Sequence, residues 1–207
     1  MDRKKQLQLV QQYVYNIFSN DTTGHDYYHL ERVAMLAKSI AKKEKADIFI
    51  CQAAALLHDI GDYKLFKHPE HALLEMESFL YNIHFTERDV NTLILAINDI
   101  SYSKGKTPRT LEGKIVQDAD RLDALGAIGI ARTFAYGGAK CQPIYDPLDP
   151  NQTSINHFFK KLIHLKDTLH TKTAIQIAND RHKFLEQFLQ RFFSEWYLQD
   201  IKRKSQL

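Results

Sequence analysis

The apolar run from Ile48 to Leu57 ends in an adjacent histidine and aspartate, His58 and Asp59, within "AAALLHDIGD". A carboxylate at the edge of a core costs several kcal/mol without a partner, or shifts its pKa until it is neutral. Two further polar side chains sit beside apolar faces elsewhere in the chain. His29 opens one helical pattern, and Asp118 lies early in another, "KIVQDADRLDALGAIG". If His29, His58, Asp59 and Asp118 converge, two imidazoles and two carboxylates form a mixed N/O ligand set for one divalent ion. A structural zinc site would be closed and usually rich in thiolates. The ion would offset the carboxylates' desolvation, polarise a bound oxygen and activate water.

The elements that must position these residues are read from hydrophobic periodicity, which is helical almost throughout. Residues 3–18 carry Leu7, Val10, Val14, Ile17 and Phe18 on one stripe. Helical patterns follow over 29–44, 46–59 (with Asp47 placed to cap), 69–83 and 86–100, where Thr86 and Asp89 stand in capping-box-like positions. A loop is expected at 101–110. A long pattern runs from Leu111 to Phe134, interrupted by Gly126 and Gly129, and an extended loop or lid spans 137–152. Helices over about 153–170 and 172–198 and a frayed tail from Asp200 complete the chain. No useful segment alternates with period two, so the expected class is all-α. One helical domain is expected over 1–207, with a core over about 24–138 and C-terminal helices at 153–198 packed on it.

Composition excludes several classes. The 207 residues are ample for a core, and a formal net charge of +3 is too small to argue for nucleic acid or an anionic membrane. Cys51 and Cys141 lie in unlike contexts, which argues against a disulfide framework. The N-terminus lacks the apolar core of a signal peptide, and no stretch has membrane-span length, so a cytoplasmic location is expected.

The order His29, His58–Asp59, Asp118 resembles that of the HD-domain metal-dependent phosphohydrolases. "GHDYYHLERV", "AALLHDIGDYK", "KIVQDADRLDALGAIGIARTFAYGG", "SINHFFKKL" and "ANDRH" extend the resemblance to one small bacterial branch over roughly residues 24–182. The resemblance implies a helical domain holding one divalent ion at the four positions, Mn²⁺ or Mg²⁺ ahead of Fe, Co or Ni. It also implies hydrolysis of nucleoside or deoxynucleoside triphosphates to monophosphate and pyrophosphate. Many relatives of the branch read "HSFS" where this chain has "ISYS", which places Ile100 at the histidine's position. His68, His71 and His84 fall where some groups place ligands for a second metal, but a single ion is the expectation.

Other residues carry two readings each. Asp62, three residues after Asp59, is placed to orient water as a catalytic carboxylate, or equally to cap the next element. Arg32, Lys140 and Lys161 are substrate-phosphate candidates set against ordinary solvated charge. Asp120 and Asp123 lie on faces other than that of Asp118, Asp120 about 200° round the helix. Structural pairing, with Arg121 as a partner, is the reading for both. Phe134 and Tyr136 suit base stacking or core packing, and Gly137–Gly138 suits anion approach or a helix stop. His157, His164, His170 and His182 have no ligand spacing. The aromatic-rich "FLEQFLQRFFSEWYL" offers a homodimer surface or closes the core. Rivals to the triphosphate reading are a phosphomonoesterase or cyclic-nucleotide phosphodiesterase, a di-iron oxygenase of the same fold, and a nucleotide- and metal-binding sensor without turnover.

Overall fold

The computed structural model describes residues 1–98, 100 and 105–204, and among these there are helices and no strand. Positions 101–104 of the expected loop, and 205–207 of the expected tail, lie outside the described residues. Helix α1 spans Arg3–Phe18, and its Asp2 cap accepts a hydrogen bond from the Lys5 N–H at 2.7 Å. Helix α2 runs over Tyr27–Glu44, two residues earlier than periodicity alone predicts. Asp26 caps it by accepting from the His29 N–H at 2.7 Å, which places His29 in the first turn.

Helix α3 is Ile48–Leu57, capped by Asp47 through the N–H groups of Phe49 and Ile50. Eight of its residues are buried, as expected for a helix that is apolar all round. It packs against α1, α2, α5 and α6. Helix α4 is Pro69–Asn82 and α5 is Glu87–Ile97. The Thr86 hydroxyl caps α5 through the Asp89 N–H and donates to the Asp89 carboxylate.

The long pattern from Leu111 divides in two: α6 covers Leu111–Asp123 and α7 covers Gly126–Ala139. The chain turns at Gly126, whose φ of +71° suits glycine. Gly129, the second interruption, stays helical, and there α7 lies tightly against the end of α6. A Cβ at Gly129 would sit 2.1 Å from the Ala124 carbonyl oxygen, a backbone atom with no rotamer to escape into. Gly129→Ala is therefore expected to cost about 1–3 kcal/mol as the two helices separate. For a chain of this size that lowers Tm by roughly 2–4 °C per kcal/mol, readable in a thermal melt.

Helix α7 continues through Gly137 and Gly138, so the expected loop begins three residues later, at Lys140. The helix expected at 153–170 is broken. Helix α8 covers Ser154–Lys160, Lys161 leaves helical geometry at φ −135°, and Leu162–Thr168 is a 3-10 segment. Helix α9 is Lys172–Trp196, and Gln199–Lys204 forms a short α10 where a frayed tail was expected. Of the aromatic residues of α9, Phe188, Phe192 and Phe193 are half-buried, with Phe188 against Phe134 and Phe158, while Phe184 and Trp196 are exposed. No described helix is long and apolar enough to cross a membrane.

Candidate metal centre and adjoining cavity

The site lies where α2, α3 and α6 meet, among the contacts that build the core. His29 has no solvent exposure, and its Nδ1–H donates to Asp123 Oδ2 at 2.8 Å. His58 ends α3, and its Nδ1–H donates to the Ala55 carbonyl at 2.7 Å. With both Nδ1 atoms committed as donors, both Nε2 atoms carry a lone pair when the rings are neutral. Both Nε2 atoms are buried without a hydrogen-bond partner. Buried polar atoms are nearly always satisfied, so two orphans side by side point to a missing ligand.

Two carboxylates face these atoms. Asp59 Oδ1 lies 3.3 Å from His58 Nε2, and Asp59 Oδ2 lies 3.7 Å from His29 Nε2. Asp120 Oδ1 lies 3.6 Å from His29 Nε2 and 3.8 Å from His58 Nε2. Neighbouring donors around a cation held at ~2.1 Å in octahedral geometry are ~3 Å apart, so the spacing of His29, His58 and Asp120 is near that of one coordination shell, with Asp59 beside both histidines. His29, His58 and Asp120 form one compact potential ligand group; His25, His29 and Asp59 form another that shares His29. His25 Nδ1 sits 3.1 Å from Asp59 Oδ2. The donor set fits a hard or borderline divalent cation and contains no thiolate.

Electrostatics support the same placement. Burial would lower the His58 pKa, but the charges of Asp59 and Asp120 outweigh it and push the imidazole up to about 9. Burial opposes ionisation of Asp59 and Asp120 as well. The facing imidazoles reverse this and hold both carboxyls well below the usual carboxylate range. His29 moves the other way, lowered chiefly by burial. The two carboxylates together create a demand for positive charge where the two Nε2 atoms point.

Asp118 is not among the converging groups. Its carboxylate is fully buried and accepts from the His170 N–H at 2.9 Å, the Thr171 N–H at 2.8 Å and the Thr171 hydroxyl at 2.7 Å. It anchors the start of α9. Asp120, assigned by sequence to structural pairing, takes the place expected of Asp118. Only one of two carboxylates ~200° apart on a helix can face α2 and α3. Asp123 follows Asp120 by three residues and so shares its face. Its structural role holds, but its partners are His29, Arg32 and Arg132 rather than Arg121. Arg121 instead donates to the Thr168 carbonyl.

The remaining candidates separate clearly. Asp62 Oδ1 accepts from the Lys64 N–H at 2.8 Å, and its carbonyl accepts from Leu65 and Phe66, so it organises the turn after α3. Arg32 spends its fork on Asp123, at 2.8 Å and 3.0 Å. Lys140 is exposed and lies 5.8 Å from the Tyr136 ring centroid. Only Lys161 of the three cations lines the cavity. His68 stands at the N-cap position of α4 without a side-chain capping bond, and His71 faces Glu75 on the surface of the same helix. Neither these two nor His84 joins a potential ligand group among the described residues. Ile100 is core. Cys51 and Cys141 are free, one buried and one exposed.

A cavity of about 420 Å³ adjoins the centre, and Asp120 and His25 form part of its wall. Lys64, Lys160, Lys161, Arg121 and Arg132 line it together with Tyr136 and Asn156. Burial lowers the Lys161 pKa; Asp120 opposes the shift, while Lys64, Arg132 and Arg121 add to it. Such a concentration of like charge in one concavity suits an anionic ligand. Of these residues, sequence reasoning singled out Lys161 for substrate phosphate and Tyr136 for base stacking or core packing. The signal available for Asp120 was its three-residue spacing to Asp123 and the matching spacing of His29 to Arg32.

A family model described as HD domain matches residues 26–125. That interval holds His29, His58, Asp59, Asp120 and Asp123 and ends where α7 begins. YpgQ of Bacillus subtilis is 40% identical over 195 residues, 92% of this chain and 94% of YpgQ. The crystal structure of B. subtilis YpgQ in complex with ADP is similar at a TM-score of 0.83 and 38% identity, covering 94% of this chain and 97% of that one. An HD-superfamily hydrolase from Bacillus thuringiensis is similar at 0.78 and 40% identity, over 95% and 99% of the two chains.

Proposed function

This chain belongs to the HD superfamily, and on that premise we propose that it is a divalent-metal-dependent hydrolase of nucleoside or deoxynucleoside triphosphates, releasing monophosphate and pyrophosphate. The observation that carries the proposal is the pair of orphaned Nε2 atoms of His29 and His58, facing Asp59 and Asp120 on the wall of a cation-lined cavity. ADP bound to a relative with 38% identity supports a nucleotide as the ligand.

His29, His58, Asp59 and Asp120 would hold the ion, with Mn²⁺ or Mg²⁺ the best match to the donors. When bound, the ion supplies Lewis acidity toward a phosphate oxygen and toward water. The protein's own groups do the rest. Asp123 and the Ala55 carbonyl hold the two imidazoles in the Nδ1–H form, so that Nε2 lone pairs face inward. His25 braces Asp59 from the cavity side. Lys64, Lys160 and Lys161 neutralise charge that develops on phosphate oxygens and on the leaving group. Lys161 is partly shielded from bulk water, which strengthens its interaction, whereas Lys64 and Lys160 are exposed at the rim.

The test is product analysis by ion-pair chromatography. Metal-stripped protein, re-supplied with Mn²⁺, is offered ribo- and deoxynucleoside triphosphates, monophosphates and cyclic nucleotides. Monophosphate plus pyrophosphate, lost in His58→Ala, is the expected result. Orthophosphate or an opened cyclic nucleotide would overturn the triphosphate reading, and metal binding without turnover would identify a sensor. A second readout needs no substrate. Mn²⁺ at about a hundred times its Kd is expected to add roughly 2.7 kcal/mol of stability. This raises Tm by roughly 2–4 °C per kcal/mol, and the shift should vanish in His58→Ala.

A further inference from the structure

Arg132 on α7 differs from every other cation at the cavity. Its Nε donates to the Gly24 carbonyl at 2.9 Å and its Nη1 to Asp123 Oδ2 at 3.0 Å. Two anchors from different elements therefore fix the plane of the guanidinium. The Nη2 group makes no hydrogen bond within the described residues, and Arg132 lines the cavity beside Asp120. Lys64, Lys160 and Lys161 are single charges on flexible stems. Arg32 binds Asp123 through Nε and Nη2 and does not line the cavity. Arg132 combines a guanidinium preset by two elements with a place on the cavity wall, where Arg32 does not reach.

We propose that Arg132 is a substrate-binding residue that holds a phosphate group of the nucleotide through Nη2, with its guanidinium preset by Gly24 and Asp123. The inference deepens the phosphohydrolase reading and rests on it. Planar, pre-oriented donors suit the oxygens of a phosphate, and fixing them before binding avoids much of the entropy cost of ordering a long side chain. The oxygen of Asp123 that accepts from Arg132 also accepts from His29 Nδ1. One carboxylate thus orients an imidazole of the metal centre and an arginine of the phosphate site. Gly24 lies against the arginine: a Cβ there would come within 3.5 Å of Arg132 Nε.

Arg132→Gln, Arg132→Lys and Arg32→Gln separate a phosphate contact from a structural one. Each is measured for kcat and KM on a nucleoside triphosphate with Mn²⁺, and for inorganic pyrophosphate affinity of the Mn²⁺-loaded protein by calorimetry. Arg132→Gln is expected to lose about 100-fold or more in kcat/KM and about 10-fold or more in pyrophosphate affinity. Arg132→Lys keeps the charge without the fork and is expected to recover only part of both. If the glutamine variant does not fold, the lysine variant decides. Arg32→Gln removes two hydrogen bonds from Asp123 against one for Arg132, yet is expected to leave both readouts within about 5-fold of wild type. Equal losses in Arg32→Gln would show that the effect travels through Asp123 and overturn the proposal. Wild-type pyrophosphate affinity in Arg132→Gln or, should that fail to fold, in Arg132→Lys would also overturn it, as would a wild-type protein that binds no pyrophosphate. If wild type binds pyrophosphate but turns over no nucleotide, the reaction assignment fails while the affinity arm still decides on Arg132.

Discussion

Asp120→Asn is expected to abolish Mn²⁺-dependent turnover and to weaken Mn²⁺ binding by more than the 10–100-fold typical of losing an outer partner of a metal ligand. Asp118→Asn is expected to leave Mn²⁺ affinity unchanged while lowering stability by about 1–3 kcal/mol. The reason lies in what each carboxylate meets. Asp120 Oδ1 stands 3.6 Å and 3.8 Å from two buried imidazole nitrogens that have no hydrogen-bond partner. Asp118 accepts three hydrogen bonds at the start of α9, two of them from backbone N–H groups. An asparagine there turns an acceptor-only group into one that is half donor, leaving a mismatch in a fully buried position. Mn²⁺ titration followed by electron paramagnetic resonance, with thermal melts of the same samples, separates the two effects. Loss of Mn²⁺ binding in Asp118→Asn, with Asp120→Asn binding normally, would sink the assignment of Asp120.

Asp123→Ala is expected to be the most damaging single change near the site, costing about 3–5 kcal/mol. Asp123 is almost fully buried among His29, Arg32 and Arg132. Removing it takes away the carboxylate that both guanidinium groups hydrogen-bond and frees the His29 ring to turn. The wild-type interaction is also expected to show in acid. Burial opposes ionisation of Asp123, but hydrogen bonds from His29 and Arg32, with the charges of His29 and Arg132, hold its pKa at about 2. Because the folded-state pKa lies below the unfolded value of ~3.9, this stabilisation is fully present above about pH 4. It is lost as the pH falls through about 2. Denaturant melts of wild type and Asp123→Ala from pH 7 to pH 2 check the sign: the gap between them should be constant above about pH 4 and narrow below it. A gap that widens in acid would mean the carboxyl is not the ionised partner of these groups.

Much of the architecture was legible before any coordinates. Amphipathic spacing placed most of the helices, and the capping residues Asp47 and Thr86 marked starts that the structure keeps. His58–Asp59 signalled itself because an ionisable pair ending an apolar helix needs compensation. The break in the long pattern was visible at Gly126, although Gly129 turned out to serve close helix packing rather than a second interruption. In each case the deciding physics is local: a periodicity, a cap, a backbone angle.

The choice between Asp118 and Asp120 was of another kind. A rise of 100° per residue settles that they point apart, but not which of them points at α2 and α3. That depends on how α6 is rotated between the histidine-bearing helices and α9, and therefore on packing over more than 140 positions of chain, from His29 to Thr171. Arg32 shows the same limit: its spacing from His29 put it on the correct face, but only the fold brought Asp123 there to occupy it. Arg132, Lys64 and Lys161 come from separate segments and become one cationic wall only when α7 packs on α6 and α8 on α7. Sequence by itself determined most of the helices and the residue types of the candidate site, because both follow from residue types and short spacings. Tertiary structure alone decided which carboxylate faces the histidines and which cations face the cavity, because those are relations between helix faces and have no local signature.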